Sequence, residues 1–339
     1  MRTALVTGSA GFIGHHLGMR LLGDGWRVVG VDAFTDYYDP ALKRRRQVRL
    51  ERAGGDRLVA VTGDVAAPGL VAGLMADYAP AAVVHLAAQA GVRHSIDAPR
   101  SYVAANLVGT HEVLEAARAH PPTHLLIAST SSVYGTGTEM PYRETMATDA
   151  PVSFYAATKK ACEAMAHAYA HLYRVPTTLF RFFTVYGPWG RPDMAPFKFT
   201  RAILEGAPID VYNHGRMRRD FTYVRDLVEA IRRLADRPPV RGEPVGAHDS
   251  LSPVAPFRVV NVGNSAPVEL SRFIAAIEAS TGRQARRNLM PIQPGDVPGT
   301  WADTRLLEAL TGYVPGTSVE EGVARFVEWF RAEMAVSAP

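Results

Sequence analysis

Short apolar runs rich in β-branched residues recur through the first half of the chain, separated by helical patterns or loops. Runs of this length and composition are typical of strands that are buried on both faces of a parallel sheet. Their alternation with helical segments predicts a doubly wound α/β sheet, which binds ligands at the carboxyl ends of its strands. The predicted strands cover residues 2–7, 26–31, 58–64, 82–87, 124–129 and 176–183.

The pattern becomes richer in loops from residue 184 onward. A chain of 339 residues is long for one hydrophobic core, so we expect two domains, 1–183 and 184–339, the second a smaller α/β domain. The segment 237–256 is rich in proline, glycine and serine, which predicts a flexible excursion. The apolar run at 258–263 predicts a strand that returns to the first sheet, so part of 222–263 is expected to rejoin the first domain.

A glycine-rich turn directly follows the first predicted strand and precedes a helical pattern. In such a turn Gly8 permits the tight bend, Gly11 lets the backbone approach a pyrophosphate, and Gly14 allows the helix to pack closely on the strand. The first helical amides, including those of Phe12 and Ile13, and the helix dipole favour bound phosphate. The turn therefore predicts a Rossmann-type dinucleotide site.

Asp32 ends the second predicted strand, roughly 20 residues after the glycines, where a carboxylate accepts hydrogen bonds from the adenosine ribose. Its charge would repel a 2′-phosphate, which predicts NAD rather than NADP as the cofactor. Backbone and side chains at the ends of the third and fourth strands are also expected to contact the cofactor. These residues are Asp64, Val65, Ala87 and Ala88.

Tyr155 and Lys159 are four residues apart in a helical pattern, so their side chains lie on the same helix face. A phenol has a pKa near 10 and is a poor base at neutral pH. A neighbouring ammonium, together with the positive ring of an oxidised nicotinamide, favours the phenolate. Next to a dinucleotide site, this pair predicts Tyr155 as the catalytic base.

Composition narrows the class of protein. No apolar run reaches the about 18 residues of a membrane helix, and the chain starts with a strand pattern rather than a signal peptide, so we expect a cytoplasmic enzyme. The single cysteine, Cys162, excludes an internal disulfide. The net charge is only +4, which favours a small anionic substrate over nucleic acid.

Two further residue types give no additional site. The 11 histidines lack clustered ligand spacing, so no metal is expected. The three arginines Arg44–Arg46 are interpreted as a solvated helix face.

The residues resemble the extended short-chain dehydrogenase/reductase superfamily, in its NAD-dependent epimerase/dehydratase branch, over nearly the whole chain. Segments 181–194, 210–215 and 293–296 are more narrowly similar to the UDP-glucuronate 4-epimerases. The positions that carry the wider resemblance are Gly8, Gly11, Gly14, Asp32, Asp64, Asn106, the segment 130–135, Tyr155, Lys159 and the segment 219–224.

This resemblance implies C4 epimerisation of UDP-glucuronate to UDP-galacturonate through a transient 4-keto intermediate. NAD would be held tightly, with Asn106 among its contacts, and would be reduced and reoxidised within one turnover. The second domain would bind the nucleotide sugar. The helices predicted at 106–119 and 155–173 would form the interface of a homodimer.

The resemblance also implies roles for individual side chains. Thr130 would hydrogen-bond the sugar 4-OH beside Tyr155, and Lys159 would bind the nicotinamide ribose and lower the pKa of Tyr155. Arg219 and Asp296 match positions that hold the diphosphate and the uridine ribose. Arg93, which follows the fourth strand, is expected at the mouth of the cleft in contact with the sugar or the diphosphate.

Ser131 and Ser132 discriminate among related reactions. Similar 4,6-dehydratases carry Asp-Glu at these positions, and UDP-glucuronate decarboxylases typically carry a glutamate at the second of them. Two hydroxyls cannot perform the acid/base chemistry of carboxylates, which disfavours elimination. A UDP-hexose 4-epimerase and a UDP-glucuronate decarboxylase stay open as alternatives. A non-catalytic NAD-binding redox sensor is a further alternative, against which the intact Thr130, Tyr155 and Lys159 argue.

A 4-keto uronate is a β-keto acid and loses CO2 when its C5–C6 bond stands near perpendicular to the carbonyl plane. A site that clamps the carboxylate away from this angle would suppress the loss. Arg191, with the hydroxyls of Thr184, Ser131 and Ser132, is predicted to form such a clamp. In the alternative interpretation Arg191 pairs with Asp193 at a surface turn and Thr184 caps a strand.

Overall fold

A computed structural model describes residues 1–136, 139–293 and 295–334. The strands are β1 (Thr3–Thr7), β2 (Arg27–Asp32), β3 (Leu58–Thr62), β4 (Ala82–His85), β5 (His124–Thr130), β6 (Thr177–Phe182), β7 (Thr184–Tyr186), β8 (Pro208–Val211), β9 (Arg218–Tyr223), β10 (Phe257–Val262), β11 (Pro267–Glu269) and β12 (Arg286–Leu289). A π-helical segment (Val103–Val108) and short 3-10 turns (Gly55–Arg57, Ser131–Tyr134, Tyr212–Gly215) lie among the helices. The α-helices are α1 (Phe12–Gly23), α2 (Pro40–Gly54), α3 (Leu70–Tyr78), α4 (His94–Asp97), α5 (Pro99–Tyr102), α6 (Gly109–Ala119), α7 (Phe154–Tyr173), α8 (Ala195–Glu205), α9 (Val224–Leu234), α10 (Leu270–Thr281), α11 (Arg305–Thr311) and α12 (Val319–Met334).

Seven strands form the first sheet in the order β3-β2-β1-β4-β5-β6-β10, and all neighbours are parallel. The six predicted strands are present, and β10 returns from the second half of the chain to pair with β6, as predicted. The strand order reverses between β1 and β4, and such a switch point opens a crevice at the carboxyl ends of the strands. The predicted doubly wound α/β fold is confirmed.

A smaller group of elements follows β6. A three-stranded sheet in the order β11-β9-β7 and the parallel pair β8–β12 pack with α8, α10 and α12. Aromatic rings fill the space between them, including Phe221 and Phe273, stacked 4.2 Å apart at their centroids, and Phe197 against Phe330 at 4.9 Å. The division at residues 183/184 stays a prediction. None of the helices within the described ranges combines the length and apolarity that a bilayer crossing requires.

The segment between α9 and β10 contains no helix or strand, as predicted. Its second half is nevertheless anchored, because the Asp249 carboxylate accepts two hydrogen bonds from Arg258, at 2.8 and 2.9 Å, in a buried ion pair. Ser252 also lies 2.8 Å from Nε2 of His167 on α7. The excursion is therefore not flexible throughout.

Asp220 ties two separate segments of the chain to β9. Its carboxylate is fully buried and accepts hydrogen bonds from the backbone amides of Asn264, Ser265 and Ala302 at 2.7, 3.0 and 3.0 Å. An added Cβ at Gly263 would lie 3.0 Å from Asp220 Oδ2, so these segments approach closely. Asp220 thus fixes the surroundings of Arg219, its neighbour in β9.

We expect Asp220→Asn to destabilise the fold by about 1–3 kcal/mol, because the new amide NH2 would face backbone N–H donors in a buried place. The measurement is urea unfolding at pH 8, since burial raises the pKa of Asp220 to about 6 and the carboxyl group is ionised there. Asp236→Asn is the control, because this side chain is 42% exposed and pairs only at the surface. Equal stability of the two variants would contradict the prediction.

Candidate active site

One cleft at the carboxyl ends of the central strands contains nearly all the residues predicted to bind the cofactor. They come from the loops that follow β1, β2, β3 and β4, and from the first turns of α1 and α7. The predicted residues that line this cleft are Gly8, Gly11, Phe12, Ile13, Gly14, Asp32, Asp64, Val65, Ala87, Ala88, Tyr155 and Lys159.

The glycine turn leaves no room for side chains. Gly8 has a φ of +69°, and a Cβ there would lie 2.9 Å from the backbone nitrogen of Ala87. A Cβ at Gly11 or Gly14 would lie 2.9 or 2.1 Å from the carbonyl oxygen of Gly8. Helix α1 begins at Phe12, so its first amides, which lack acceptors within the helix, face this turn. The turn fits the pyrophosphate of a dinucleotide.

Asp32 is buried at the end of β2, and its carboxylate is oriented by the backbone. Oδ2 accepts a hydrogen bond from the Ala10 amide at 3.1 Å, and Oδ1 accepts one from the Phe34 amide at 2.8 Å. Each oxygen retains a lone pair for a ribose hydroxyl. The sequence analysis missed Lys43, which lines the same cleft and donates to the carbonyl and hydroxyl oxygens of Thr35 at 2.9 Å. Burial lowers the pKa of Lys43.

Asn106 lies one layer behind the cleft, fully buried in the π-helical segment. Its Oδ1 accepts from the Gln89 amide at 2.8 Å, while Nδ2 donates to the Gln89 carbonyl at 3.1 Å and to the Thr158 hydroxyl at 3.0 Å. Gln89 itself lines the cleft, so Asn106 positions its wall. A direct contact of Asn106 with the cofactor stays a prediction.

A buried histidine holds the same wall from the other side, and the sequence analysis missed it. Burial lowers the pKa of His85 to about 3, so the ring is neutral. Thr7 Oγ1 accepts from the amides of Leu86 and Ala87 at 3.1 Å and lies 2.7 Å from His85 Nδ1. The Thr7 hydroxyl therefore donates to Nδ1, and His85 Nε2–H donates to Thr110 Oγ1 at 3.2 Å. The sequence signal for this role was His85 itself, a polar residue that ends the apolar run at 82–85.

The three residues predicted to be catalytic converge where β5 meets α7. Ser153 caps α7 by accepting from the Ala156 amide at 3.1 Å, which orients the first turns of this helix. Thr130, at the end of β5, hydrogen-bonds the Tyr155 phenol, and both line the cleft. Lys159 is buried one turn further along α7 and lines the cleft as well.

Burial and neighbouring groups together set the protonation of the Tyr155 phenol. Burial raises the pKa of Tyr155, while the hydrogen bond from Thr130 and the positive charge of Arg191 lower this pKa. Lys159 Nζ donates to the carbonyl oxygen of Ala128 at 2.9 Å, and burial lowers the pKa of Lys159. The lowering of the Tyr155 pKa by Lys159 stays a prediction, while the positive charge of Arg191 lowers this pKa in the structure.

Arg191 lines the cleft and forms a bidentate pair with Asp193. Nε donates to Oδ1 at 3.0 Å, and Nη2 donates to Oδ2 at 2.5 Å. The pair proposed in the alternative interpretation is thus present, but it is not at the surface. The two side chains are only 20% and 25% exposed, and the charge of Arg191 reaches Tyr155.

The other residues predicted for the carboxylate clamp lie close by without lining the cleft. Ser131 and Ser132 open the 3-10 turn after β5 and are half-buried. Thr130 Oγ1 accepts from the Ser132 amide at 3.2 Å and also lies 3.2 Å from the Ser132 hydroxyl oxygen. Thr184 is half-buried at the start of β7. Their contacts with a substrate carboxylate stay predictions.

The residues predicted to hold the diphosphate and the uridine form a second cluster outside the residues that line the cleft. Arg93 Nη2 lies 3.1 Å from Asp296 Oδ2, and its guanidinium stands 4.5 Å from the centroid of the Tyr212 ring. Burial lowers the pKa of Arg219, and the charge of Asp296 opposes this effect. Three distant segments therefore meet here, and their contacts with the diphosphate and the uridine stay predictions. Pro294, within the matched segment 293–296, lies outside the described residues.

The interpretation of the three consecutive arginines as solvated is wrong for Arg46. This side chain is fully buried, and Nη1 donates to the Ala10 carbonyl at 3.2 Å and to the Tyr38 hydroxyl at 2.7 Å. Nη2 donates to the Trp189 and Gly190 carbonyls at 2.5 and 3.2 Å. Carbonyl oxygens replace water around the guanidinium. The sequence did contain a signal for this burial. Arg46 lies four residues from both Leu42 and Leu50, so the three share the buried face of α2.

In the described part of the chain, no three His, Cys, Asp or Glu side chains are grouped so that they could hold a metal ion.

Known proteins are similar to this chain over nearly its whole length. The sequence profile of the NAD dependent epimerase/dehydratase family matches residues 4–245. A protein of Rhizobium meliloti (strain 1021), described as a probable UDP-glucuronate 4-epimerase, is 56% identical over 330 residues, covering 96% of each chain. Protein CapI of Staphylococcus aureus is 48% identical over 328 residues, which cover 96% of this chain and 97% of that protein.

Two solved structures share the fold of this chain, and both contain UDP-glucuronic acid and NAD. The UDP-glucuronic acid 4-epimerase of Bacillus cereus in complex with UDP-glucuronic acid and NAD has a TM-score of 0.86 and 30% identity, covering 97% of this chain and 99% of that one. MoeE5 in complex with UDP-glucuronic acid and NAD has a TM-score of 0.82 and 32% identity, with 97% and 99% covered. These similarities confirm the predicted fold and the prediction of NAD as the cofactor. The chain belongs to the NAD dependent epimerase/dehydratase family.

Proposed function

We propose that the protein is a UDP-glucuronate 4-epimerase, which interconverts UDP-glucuronate and UDP-galacturonate with NAD as its cofactor. The observation that carries this proposal is Arg191, whose guanidinium lines the same cleft as Thr130, Tyr155 and Lys159 and influences the catalytic phenol. A guanidinium is the side chain best suited to bind a carboxylate. The activity named for the Rhizobium meliloti relative and the Bacillus cereus structure supports the proposal.

Tyr155 takes the proton of the sugar 4-OH and later returns it. The residues of the cleft would hold NAD, which would supply the acceptor and donor of the C4 hydride, and rotation of the ketone would present its other face for the return. Thr130 and Arg191 favour the phenolate against the burial that opposes it. Because Lys159 is already buried and held by the Ala128 carbonyl, its ammonium is preorganised to bind the nicotinamide ribose.

The dinucleotide contacts follow from the lining of the cleft. We assign the pyrophosphate to the amides after Gly8 and Gly11 and at the start of α1. The adenosine ribose is assigned to Asp32, and the adenine to Asp64 and Val65. The Ala87-Ala88 backbone would flank the nicotinamide half, since Ala87 touches the glycine turn.

The neighbourhood of Ser131 and Ser132 opposes elimination and decarboxylation. Both positions lack a carboxylate, and the buried carboxylate of Glu163, which contacts Ser129 near the end of β5, is already hydrogen-bonded. Glu163 accepts from Arg181 at 2.9 and 2.8 Å and from the Ser129 hydroxyl at 2.6 Å. C4 epimerisation needs no carboxylic acid at these positions.

The clamp on the substrate carboxylate would keep the 4-keto intermediate from losing CO2. We assign Arg191 as its charged member and Thr184, Ser131 and Ser132 as hydroxyl donors. The site would hold the C5–C6 bond away from the perpendicular orientation that decarboxylation needs. The positions of these residues around the end of β5 and the start of β7 support this assignment.

The nucleotide half of the substrate is assigned to the second cluster. Arg219 would bind the diphosphate and Asp296 the uridine ribose, with Arg93 at the sugar or diphosphate. Support comes from the charge interaction of Asp296 with Arg219 and from its ion pair with Arg93. Arg93 and Arg219 carry two positive charges against the single negative charge of Asp296, so one positive charge remains for the diphosphate.

We also propose a homodimer in which the Val103–Val108 segment, α6 and α7 form the interface. Large apolar side chains are exposed on these neighbouring helices, namely Val103, Val108, Leu172 and Tyr173 at 40%, 42%, 64% and 41%. Exposed apolar side chains on adjacent helices are typical of an interface. Sedimentation velocity tests the proposal, which a monomer at micromolar concentration would contradict. The cytoplasmic location stays a prediction.

The purified protein should epimerise UDP-glucuronate without added cofactor, because the hydride is borrowed and returned. Proton NMR of the products gives the reaction, and chromatography of denatured protein gives the bound nucleotide, expected to be NAD. Parallel incubation with UDP-glucose tests the hexose epimerase, and UDP-pentose would indicate the decarboxylase. Release of NADP, or bound NAD without turnover of any nucleotide sugar, would reject the proposal, the second result in favour of a redox sensor.

Tyr155→Phe should lower turnover by roughly 10²–10⁴-fold with NAD retained, because the variant keeps the ring and removes the base. Lys159→Ala should lower both turnover and NAD content, because the ammonium serves the cofactor. Steady-state kinetics and the nucleotide content of the purified variants measure these effects. Near-normal turnover of Tyr155→Phe would place the base elsewhere.

Arg191→Ala should reduce kcat/KM for UDP-glucuronate by about 10- to 150-fold, the loss expected for a charged hydrogen-bonded contact. Activity on UDP-glucose should change much less, and the share of UDP-pentose or 4-keto-pentose products should rise. Arg44→Ala, which removes an exposed guanidinium from α2, is the control. An unchanged uronate preference and product ratio would make Arg191 structural.

A further inference from the structure

Tyr37 and Asp193 enclose the guanidinium of Arg191 on two sides. Asp193 binds its Nε and Nη2 atoms, and the Tyr37 hydroxyl donates to Asp193 Oδ2 at 3.1 Å. The Arg191 guanidinium carbon also lies 5.7 Å from the centroid of the Tyr37 ring. The arginine is therefore held by a two-point ion pair and an aromatic face. The ion pair is itself fixed by the phenol.

The hydrogen bonds of this group leave part of the guanidinium for a ligand. Arginine has five N–H donors, and Asp193 takes one from Nε and one from Nη2 along the side of the group. A second carboxylate can approach the end of the guanidinium, at Nη1 and the other Nη2 hydrogen. The orientation of Asp193 thus decides in which direction that end points.

The backbone that carries Arg191 is attached to the cofactor side of the cleft. Arg46 joins the Tyr38 hydroxyl to the carbonyls of Trp189 and Gly190, directly before Arg191. Two neighbouring tyrosines after Asp32 therefore hold the 189–193 segment. Tyr37 binds the side chain of Asp193 directly. Tyr38 binds Arg46, which in turn binds the backbone carbonyls at 189–190.

The backbone of this segment is also restrained at Trp189. This residue has a φ of +61°, a conformation that side chains other than glycine rarely adopt. Its ring lies 5.8 Å from the His15 ring and 5.4 Å from the Trp329 ring, and is 5% exposed. The surrounding packing imposes one conformation on the residues that lead into Arg191.

We propose that Tyr37 and Asp193 are positioning residues, which aim Arg191 at the substrate carboxylate and thereby determine the preference for a uronate over a neutral hexose. The proposal rests on the proposed function, because it concerns the substrate group that Arg191 recognises. An arginine side chain without these partners would sample many rotamers, and ordering it would reduce the binding of the carboxylate. The binding of neutral sugars, which carry no carboxylate, would not depend on the ordering of Arg191.

The first test is Tyr37→Phe, which keeps the ring and removes only the hydroxyl. The kcat/KM for UDP-glucuronate should fall by about 3- to 10-fold, chiefly through a higher KM, the scale of one lost hydrogen bond. The KM for UDP-glucose should stay within about 2-fold by the same reasoning. Tyr313→Phe is the matched control, because it removes a phenol that hydrogen-bonds another carboxylate, Asp226, away from the cleft.

A second test places the effect at Arg191. In the Arg191→Ala background, Tyr37→Phe and Asp193→Asn should have no further effect on the uronate preference, since residues that act through one partner are not additive. With Arg191 present, Asp193→Asn should reduce the uronate preference more than Tyr37→Phe does, because it removes the charge that orients the guanidinium. Equal losses on both sugars, or the same loss with and without Arg191, would overturn the proposal.

Calorimetry separates this inference from the proposed reaction. Titration of Tyr155→Phe protein, with and without Tyr37→Phe, by UDP-glucuronate and by UDP-glucose measures binding without turnover. Uronate-selective weakening by Tyr37→Phe supports the inference even if the native protein fails to epimerise UDP-glucuronate, which would reject the reaction alone. If the native protein epimerises UDP-glucuronate and binding of both sugars is unaffected, only the inference fails.

Discussion

The glycine turn after β1 is packed so closely against itself and against the segment after β4 that no side chain fits at any of its three glycines. This contact determines where the crevice opens. Thr7 and His85, at the ends of the two strands, hold the facing segment through the Leu86 and Ala87 amides, so the wall opposite the turn is fixed by buried hydrogen bonds. A neutral histidine suits this role, because both ring nitrogens are needed for hydrogen bonds and a charge there would lack a counterion.

The two halves of the site depend on each other through buried polar side chains. Arg46 contacts the turn at Ala10 and the 189–190 carbonyls, and Asp220 joins β9 to the segments around residues 264 and 302. Each bridges segments far apart in the chain, and each would leave several backbone groups without partners if removed. The geometry of the substrate residues is therefore inherited from the dinucleotide fold rather than from the loops that carry them.

The parts of this arrangement that depend on neighbouring residues were predictable from the sequence. Strands, the glycine turn, Asp32, and the Tyr155–Lys159 pair are defined by local spacing, and the structure brings them to one cleft. Asn106 was predicted to contact the cofactor, which stays a prediction, but its hydrogen bonds to the backbone of Gln89 were not foreseen. Which residue a buried amide reaches is decided by the packing of α7 and the π-helical segment, and the sequence does not show that packing.

Arg46, His85 and Tyr37 were missed for the same reason. Three consecutive arginines look alike by composition, and only the face that α2 presents to the Trp189 segment separates Arg46 from its neighbours. The position was still accessible through its spacing with Leu42 and Leu50. Tyr37 had no such signal, because its partner Asp193 lies 156 positions away.

The pairing of Arg191 with Asp193 changes how a carboxylate would be recognised. An isolated guanidinium attracts any anion from many directions, because the Coulomb interaction is not directional. With Asp193 in place the pair is nearly neutral, and a second carboxylate is held mainly by the remaining N–H groups, whose geometry is directional. Directional binding fixes the torsion of the C5–C6 bond, whereas attraction to a net charge would not. In the proposed clamp, the same acidic partner that weakens the attraction for a uronate would thus allow control of the angle on which loss of CO2 depends.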